Sequence, residues 1–331
     1  MCASSVLCAG RSSGKRDRFM HIPATLDQAR NTLAVMLGIA ATESMPADID
    51  HAAIAAATRY IFHLEPQFGL AGLTPLSPVR QAEMMEDPEL ARQAVSFAAI
   101  MAFVGGTLDQ ARLSATVRLA DQLGVRDDFV NDLARLALGD LKEALDHMLR
   151  ANVESITGRE WTNAQIGPWL QPYDKQPDAA LATRFHALSR LPDDTFGYAF
   201  AAFYQDNNYV YPGEPAALNF EFAVRHDSVH VLAGYDTSPS GELLTATLSA
   251  TMHRSHAMSG HVLPALLNWH LGIPLNKTGA SATGAFEPEE FFYAWARGED
   301  TTLDLFGPGW NFWAAAIQPI DAVREAVGLL D

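Results

Sequence analysis

The chain has 331 residues, 48% of them hydrophobic, a formal net charge of −16 and a pI of about 5.0. That length allows two domains with a sizeable core. The acidic balance excludes a nucleic-acid binder, which needs a basic face for phosphates, and disfavours broad electrostatic docking on an anionic membrane. The only two cysteines, Cys2 and Cys8, offer neither a disulfide framework nor a thiolate zinc site, which fits a reducing, cytoplasmic setting. The longest apolar run, 97–104, is far short of the roughly 20 residues that cross a bilayer, so no transmembrane helix is expected.

Residues 1–24 carry Ser, Gly, Arg11, Lys15, Arg16 and Arg18, with the basic residues after a short apolar piece, the reverse of a secretory signal. They read as a disordered extension, or as chain preceding a true start at Met20. Residues 25–150 are rich in the good helix formers Ala, Leu, Met, Glu, Gln and Arg. Breakers cluster at Pro46, at 66–78, at Pro88 and at Gly105-Gly106. Helices are expected over 91–104, from Thr107 to Leu123 and from Asp127 to Leu138. Gly158, Gly167, Pro168, Pro172 and Pro177 mark 151–177 as a linker, although Trp161 and Trp169 suggest that it packs onto something. In a second domain, 178–331, helices are expected near 178–190, 195–205, 215–233, 239–271, 288–296 and 309–329, with Pro264 and Pro319 as kinks or breaks. The fold class is all-α: two helical domains, the second carrying a helix-loop-helix metal site.

The chemistry concentrates in His226-Asp227-Ser228-Val229-His230 and, after eleven intervening residues, in Glu242. On a helix, histidines at i and i+4 lie about 40° apart and one turn along, so both can aim a ring nitrogen at one cation. Composition alone would produce the His-acid-x-x-His spacing about 0.04 times in this chain. Leu218, Phe222, Val229 and Leu232 fall at helical spacing, Gly234 suits a helix stop, and Ser238 with Pro239 suits the start of a second helix whose first turn holds Glu242. His226, Asp227, His230 and Glu242 are therefore the expected metal ligands. Their donors suit zinc first, and iron or manganese as well. Four protein ligands would close a structural zinc site; if Asp227 or Glu242 only orients a histidine, a position opens for water or substrate.

His253 and His256, on the helix that Glu242 begins, are tentative residues of a substrate pocket. His253 stands about 16 Å up the axis from Glu242, too far to join its coordination sphere. The bland reading, a singly bonded histidine, is the stronger for both, and His261 and His270 are read as structural. Phe196, Tyr198, Phe200, Phe203, Tyr204, Phe220 and Phe222 form an aromatic zone, read first as core and second as the lining of a cavity for a lipid tail. No dinucleotide fingerprint, Walker sequence or nucleophile elbow is present in the sequence.

The metal motif, with Leu191-Pro192-Asp193-Asp194-Thr195-Phe196-Gly197-Tyr198-Ala199 before it and Val231-Leu232-Ala233-Gly234, Arg297-Gly298, Trp310 and Pro319-Ile320-Asp321-Ala322-Val323-Arg324 after it, resembles the coenzyme Q biosynthesis protein 4 family over about residues 175–330. The resemblance implies a ubiquinone biosynthesis protein: metal-dependent, oxidative C1 decarboxylation of a polyprenylated hydroxybenzoate-derived precursor, organisation of other ubiquinone-biosynthesis proteins, or both. It adds peripheral contact with the inner face of a membrane and leaves room for a homo-oligomer. A zincin-like metallohydrolase, a non-catalytic scaffold and a prenyl-lipid carrier remain the alternatives. A weaker similarity, from Val104-Gly105-Gly106-Thr107-Leu108-Asp109-Gln110-Ala111 to Leu119-Ala120-Asp121-Gln122-Leu123-Gly124-Val125, is to the tellurite-resistance protein B (TerB) helical module. That module's acidic ligands are replaced here by Gly105-Gly106 and by Ala111 or Arg112, so the first half is read as a structural or interaction domain.

Overall fold

The computed structural model describes residues 25–330 apart from 43, 66–71, 75, 77 and 276–279; the extension expected over 1–24 lies outside the described residues. As expected, the fold is all-α, and the described residues form no strand beyond two isolated bridges. The first half contains α1 (Leu26–Ala40), α2 (Asp48–Tyr60), α3 (Pro78–Met85), α4 (Pro88–Met101), α5 (Gln110–Gln122), α6 (Asp128–Ala137) and α7 (Leu141–Thr157). Local chemistry sets their starts. Asp87 and Asp109 each accept the backbone N–H three residues on, and Pro88 supplies a first residue with no N–H to waste. Arg112 is buried and grips Asp50 through two bonds of 2.6 and 2.9 Å. It also reaches the carbonyls of Ala40 and Met101, so it ties together three helix ends.

The second half contains α8 (Asn163–Leu170), α9 (Ala179–Leu188), α10 (Phe196–Asp206), α11 (Phe220–Ala233) and α12 (Pro239–His253). A composite helix α13 follows, made of a π segment Ala257–Val262, one α-turn Leu263–Ala265 and a second π segment Leu266–His270. The chain ends with α14 (Pro288–Asp300), α15 (Phe312–Ala316) and α16 (Ile320–Val327).

One expectation is corrected. The stretch 239–271 is not one helix: it stops at Arg254, in the left-handed region at φ 65°, and restarts after His256 at φ 49°. The irregularity of α13 has an identifiable cause, because Pro264 has no N–H to offer the Gly260 carbonyl one turn back. Asn152 Nδ2 of α7 takes that carbonyl at 2.8 Å instead. The buried residues form two cores. Helix α7 runs through residue 151, and Ile156 and Ile166 are buried. One core joins α1, α2 and α4–α7 to Leu243 and Ala250 of α12, to α13, and to Phe291, Phe292 and Trp295 of α14. The other joins α9–α11, α15 and α16 to Leu248 and Met252 of α12. Helix α12 thus gives one flank to each core, which is why Leu243–Thr245 and Thr247–Met252 are all buried.

Helices α12 and α14 cross closely at Gly298, where a Cβ would stand 2.5 Å from the Leu248 carbonyl oxygen and press on Thr251 Oγ1. Gly298→Ala is therefore expected to lower the unfolding free energy by about 1–3 kcal/mol through overpacking, measured by urea denaturation. Next to it, Glu299 accepts from Arg254 Nη2 at 3.0 Å, but its other oxygen is buried with no hydrogen bond. Burial pushes its carboxyl from 4.5 up to about 7, and Arg254 offsets only part of that. The folded protein then holds a proton that the unfolded chain has lost, so the stabilising contribution is complete below pH 4.5 and disappears as pH rises through 7. Relative to Glu299→Gln, the wild type should lose stability across that window and run parallel to it at higher pH, as read from denaturant melts at stepped pH.

Candidate metal centre

Helix α11 begins under an Asn219 cap and stops at Gly234, whose φ of 77° suits a residue without Cβ. Ser238 Oγ then accepts from the Gly241 N–H at 3.1 Å, and Pro239 opens α12, as the sequence implied. The short return puts the Glu242 carboxylate over the histidine face of α11. His226 Nε2 and His230 Nε2 are 3.2 Å apart, and the Glu242 oxygens lie 3.3 Å from the first and 3.6 Å from the second. Ligand atoms at a tetrahedral ion with bonds of about 2.05 Å are separated by about 3.3 Å. Each imidazole thus faces its own Glu242 oxygen at a separation near that value, and two nitrogens with a carboxylate are a fitting donor set for a divalent transition metal.

The triad is shielded by aromatic rings. Phe203 stacks on His230 and Phe222 on His226, with centroids 5.4 and 5.5 Å apart. His230 is 1% exposed. Its Nδ1 meets the Tyr235 carbonyl at 3.2 Å and Thr245 Oγ1 at 3.2 Å. A carbonyl only accepts, so Nδ1 carries the proton and Nε2 turns its lone pair to the triad, the tautomer a metal requires. Burial disfavours charge on His226, but the hydrogen bond and charge of Glu242 outweigh it and hold its pKa above the ordinary histidine value. Burial acts on Glu242 in the opposite sense to its neighbours, and the two imidazoles prevail, keeping its carboxyl far below the usual range.

Asp227 does not join them. It points along another flank of α11, where Tyr204 donates to its Oδ2 at 2.6 Å. Burial raises the Asp227 pKa against the pull of His226 and of that bond, and it raises the Tyr204 phenol well above its ordinary value. Among the described residues, the side chains close enough together to hold a metal ion are His226, His230 and Glu242, and Asp227 is not in that group.

Two cavities meet at the triad. The outer one, about 410 Å³, is walled by Phe203, Tyr204, Tyr209, Leu218 and Thr237, with Tyr209 and Leu218 partly exposed at its rim. The inner one, about 150 Å³, is lined by Ile156, Ser249, His261, Pro264 and Phe306 among others. Both include Phe222, His226, Glu242 and Trp269. His253 and His256 line neither. Helix α12 carries His253 away from Glu242, and it bridges Asp304 Oδ2 at 2.8 Å and the Ser155 carbonyl at 2.7 Å. The left-handed turn at 254–256 carries His256 to a different cleft. His261, read as structural, instead faces the inner cavity: Ser155 Oγ lies 2.9 Å from its Nε2, and burial lowers its pKa to about 3. His270 is structural, between the Val104 carbonyl and the Phe286 N–H. The walls supplied by Trp269 and His261 had no local signal, because the break that aims them lies in the irregular α13.

The C-terminal carbonyls of α11 are held by arginines from distant helices. Arg324 Nε donates to the Leu232 carbonyl at 3.1 Å. Arg297 Nη1 donates to the Ala233 carbonyl at 3.1 Å and to Tyr235 Oη at 3.2 Å, clamping the residue whose carbonyl fixes His230. Arg297→Leu is expected to weaken metal binding by about 10-fold, the effect of losing an outer support of a ligating histidine, with the fold kept; zinc titration alongside circular dichroism checks it.

No protein-family model matches this chain, and no curated protein or solved structure does so either.

Proposed function

We propose that the protein is a metal-dependent enzyme acting on an aromatic ring with an apolar tail, and that the ion is a divalent metal, zinc before iron or manganese, held by His226, His230 and Glu242. The observation that carries this reading is the convergence of three side chains, with the two imidazole Nε2 atoms 3.2 Å apart and the two Glu242 oxygens 3.3 Å from His226 Nε2 and 3.6 Å from His230 Nε2, at the junction of two largely apolar cavities. The chemistry supplied by a divalent ion at this position is Lewis-acid polarisation of a carboxylate or phenolate oxygen. This chain's own groups do the rest. Phe203 and Phe222 hold the imidazoles in place and exclude water, and Tyr209 and Leu218 give the outer cavity an apolar mouth suited to a ring or chain. Tyr204 donates a buried hydrogen bond to Asp227 in the wall of that cavity.

The resemblance to the coenzyme Q biosynthesis protein 4 family supplies the reaction: C1 decarboxylation of a polyprenylated hydroxybenzoate-derived precursor, with or without organisation of partner enzymes. Loss of carbon dioxide with a proton in its place needs no oxidant; the oxidative outcome, a hydroxyl left at C1, needs dioxygen, with the electrons coming from the ring if zinc is the ion, since zinc has no redox chemistry. A zincin-like hydrolase is less well supported, because Asp227, its general base, is engaged by Tyr204.

The test begins with metal analysis of the purified chain. Wild type and Asp227→Asn should hold close to one equivalent, and His230→Ala and Glu242→Gln should retain about a tenth or less, as expected when one ligand of a three-ligand site is lost. Deletion of the gene should then cause a prenylated ring still bearing its C1 carboxyl to accumulate, restored by the wild type and not by His230→Ala. Equal metal in all four proteins would overturn the ligand assignment. Metal binding with an unchanged quinone profile would overturn the reaction.

A further inference from the structure

The inner cavity at the triad, about 150 Å³, has the volume at which a buried apolar space takes up a single benzene ring. Most of its wall is apolar, with Ile156, Phe222, Ala246, Pro264, Trp269 and Phe306 among the side chains that supply it. It follows one stripe of α12. Glu242, Ala246 and Ser249 all line it, and seven residues turn a helix through about 700°, close to two full turns. Ser249 therefore lies about 10 Å along the axis from Glu242. The ring of His261 belongs to that far end: its centroid is 6.5 Å from that of His253, which stands about one turn beyond Ser249 on the same helix. The cavity thus has His226 and Glu242 at one end and His261 at the other.

Two distances fix which hydrogen His261 carries. Ser155 Oγ lies 2.7 Å from the Asn152 carbonyl and 2.9 Å from His261 Nε2. A carbonyl only accepts, so the single hydroxyl hydrogen goes to Asn152, and the Nε2–H of His261 donates to Ser155 Oγ. Burial keeps this imidazole uncharged, with its pKa lowered to about 3, so Nδ1 presents a bare lone pair. Among the described residues no donor meets Nδ1, and protein does not seal it off. His261 therefore offers the cavity a hydrogen-bond acceptor. Ser249, 1% exposed, adds a hydroxyl without a partner at the same end. A buried acceptor left unpaired is costly, and this sets the terms on which a ring can enter.

We propose that the inner cavity is the chamber for one aromatic ring bearing a hydroxyl, and that His261 is the specificity-determining residue, accepting the hydrogen bond of that hydroxyl on Nδ1. The outer cavity, larger and with Tyr209 and Leu218 at its rim, is left to the apolar tail. That the opposite end of the ring meets the ion rests on the metal-dependent function proposed above; entry of the ring and its contact with His261 do not. Ser155 is a positioning residue, because by accepting from Nε2–H it fixes the tautomer that leaves Nδ1 bare. A ring with a methyl group in place of the hydroxyl fits the same volume and leaves the acceptor unpaired, so discrimination comes from the hydrogen bond and not from shape.

Calorimetric titration of the full chain with phenol and with toluene, before and after chelation, tests this; chelation removes the ion as a second place for the hydroxyl. Phenol should bind the chelated protein with a Kd below about 1 mM. His261→Leu should weaken phenol by about 10-fold or more and leave toluene bound at least as tightly, since the phenol hydroxyl is then buried without a partner. His230→Ala should lose its metal and keep the wild-type affinity for phenol, which separates a failed metal assignment from a failed chamber. Nitrogen-15 NMR reads the same contact in the unaltered chain. The Nδ1 signal that His261→Gln removes should be that of an unprotonated ring nitrogen, and it should move with phenol and not with toluene. Parallel loss of both probes or unchanged phenol affinity in a folded His261→Leu, or a protonated Nδ1, would overturn the proposal, as would no heat with phenol up to about 10 mM.

Discussion

A carboxylate facing two imidazoles in an apolar junction is the constraint around which the second half of the molecule is arranged. Glu242 is only 17% exposed, and a charge so placed is tolerable only when neighbours compensate it. The compensating groups are His226 and His230, whose rings are fixed by Phe222, Phe203 and the Tyr235 carbonyl. The Tyr235 segment is fixed in turn by Arg297, and the end of α11 by Arg324. Each layer of support comes from a different helix, so the ligand geometry is a property of the whole helical assembly rather than of the motif alone.

What the sequence made legible was local. The i, i+4 histidines, the Gly234 stop, the Ser238 cap and the Pro239 start are set by backbone chemistry within a few residues, and together they place Glu242 over α11. The place of Asp227 was not legible, because adjacency in sequence puts it about 100° around the helix from His226, where it meets Tyr204 from α10. The end of α12 at Arg254 had no residue signal either, because no glycine stands at the positive-φ positions Arg254 and His256. Pro264 did announce an irregularity, but its consequence, a π-shaped helix with Asn152 filling the vacated bond, depends on a side chain more than a hundred residues earlier.

The division into cores was hidden for a related reason. Composition changes near residue 151, yet burial is decided by which faces meet. Helix α12 is apolar and hydroxyl-bearing all round, with Thr247 and Thr251 returning their hydroxyls to backbone carbonyls of their own helix, and it serves both cores. The aromatic zone noted in the sequence splits likewise: Phe196 and Phe200 are fully buried core, whereas Phe203, Tyr204 and Phe222 line the space at the triad.

The double role of α12 bears on how such a protein can be inherited. A helix that completes two cores cannot be given to one of them without stripping the other, so no crossover point along the chain yields two self-sufficient modules. Within the intact chain, the glycine at the α12–α14 crossing narrows which substitutions that crossing accepts.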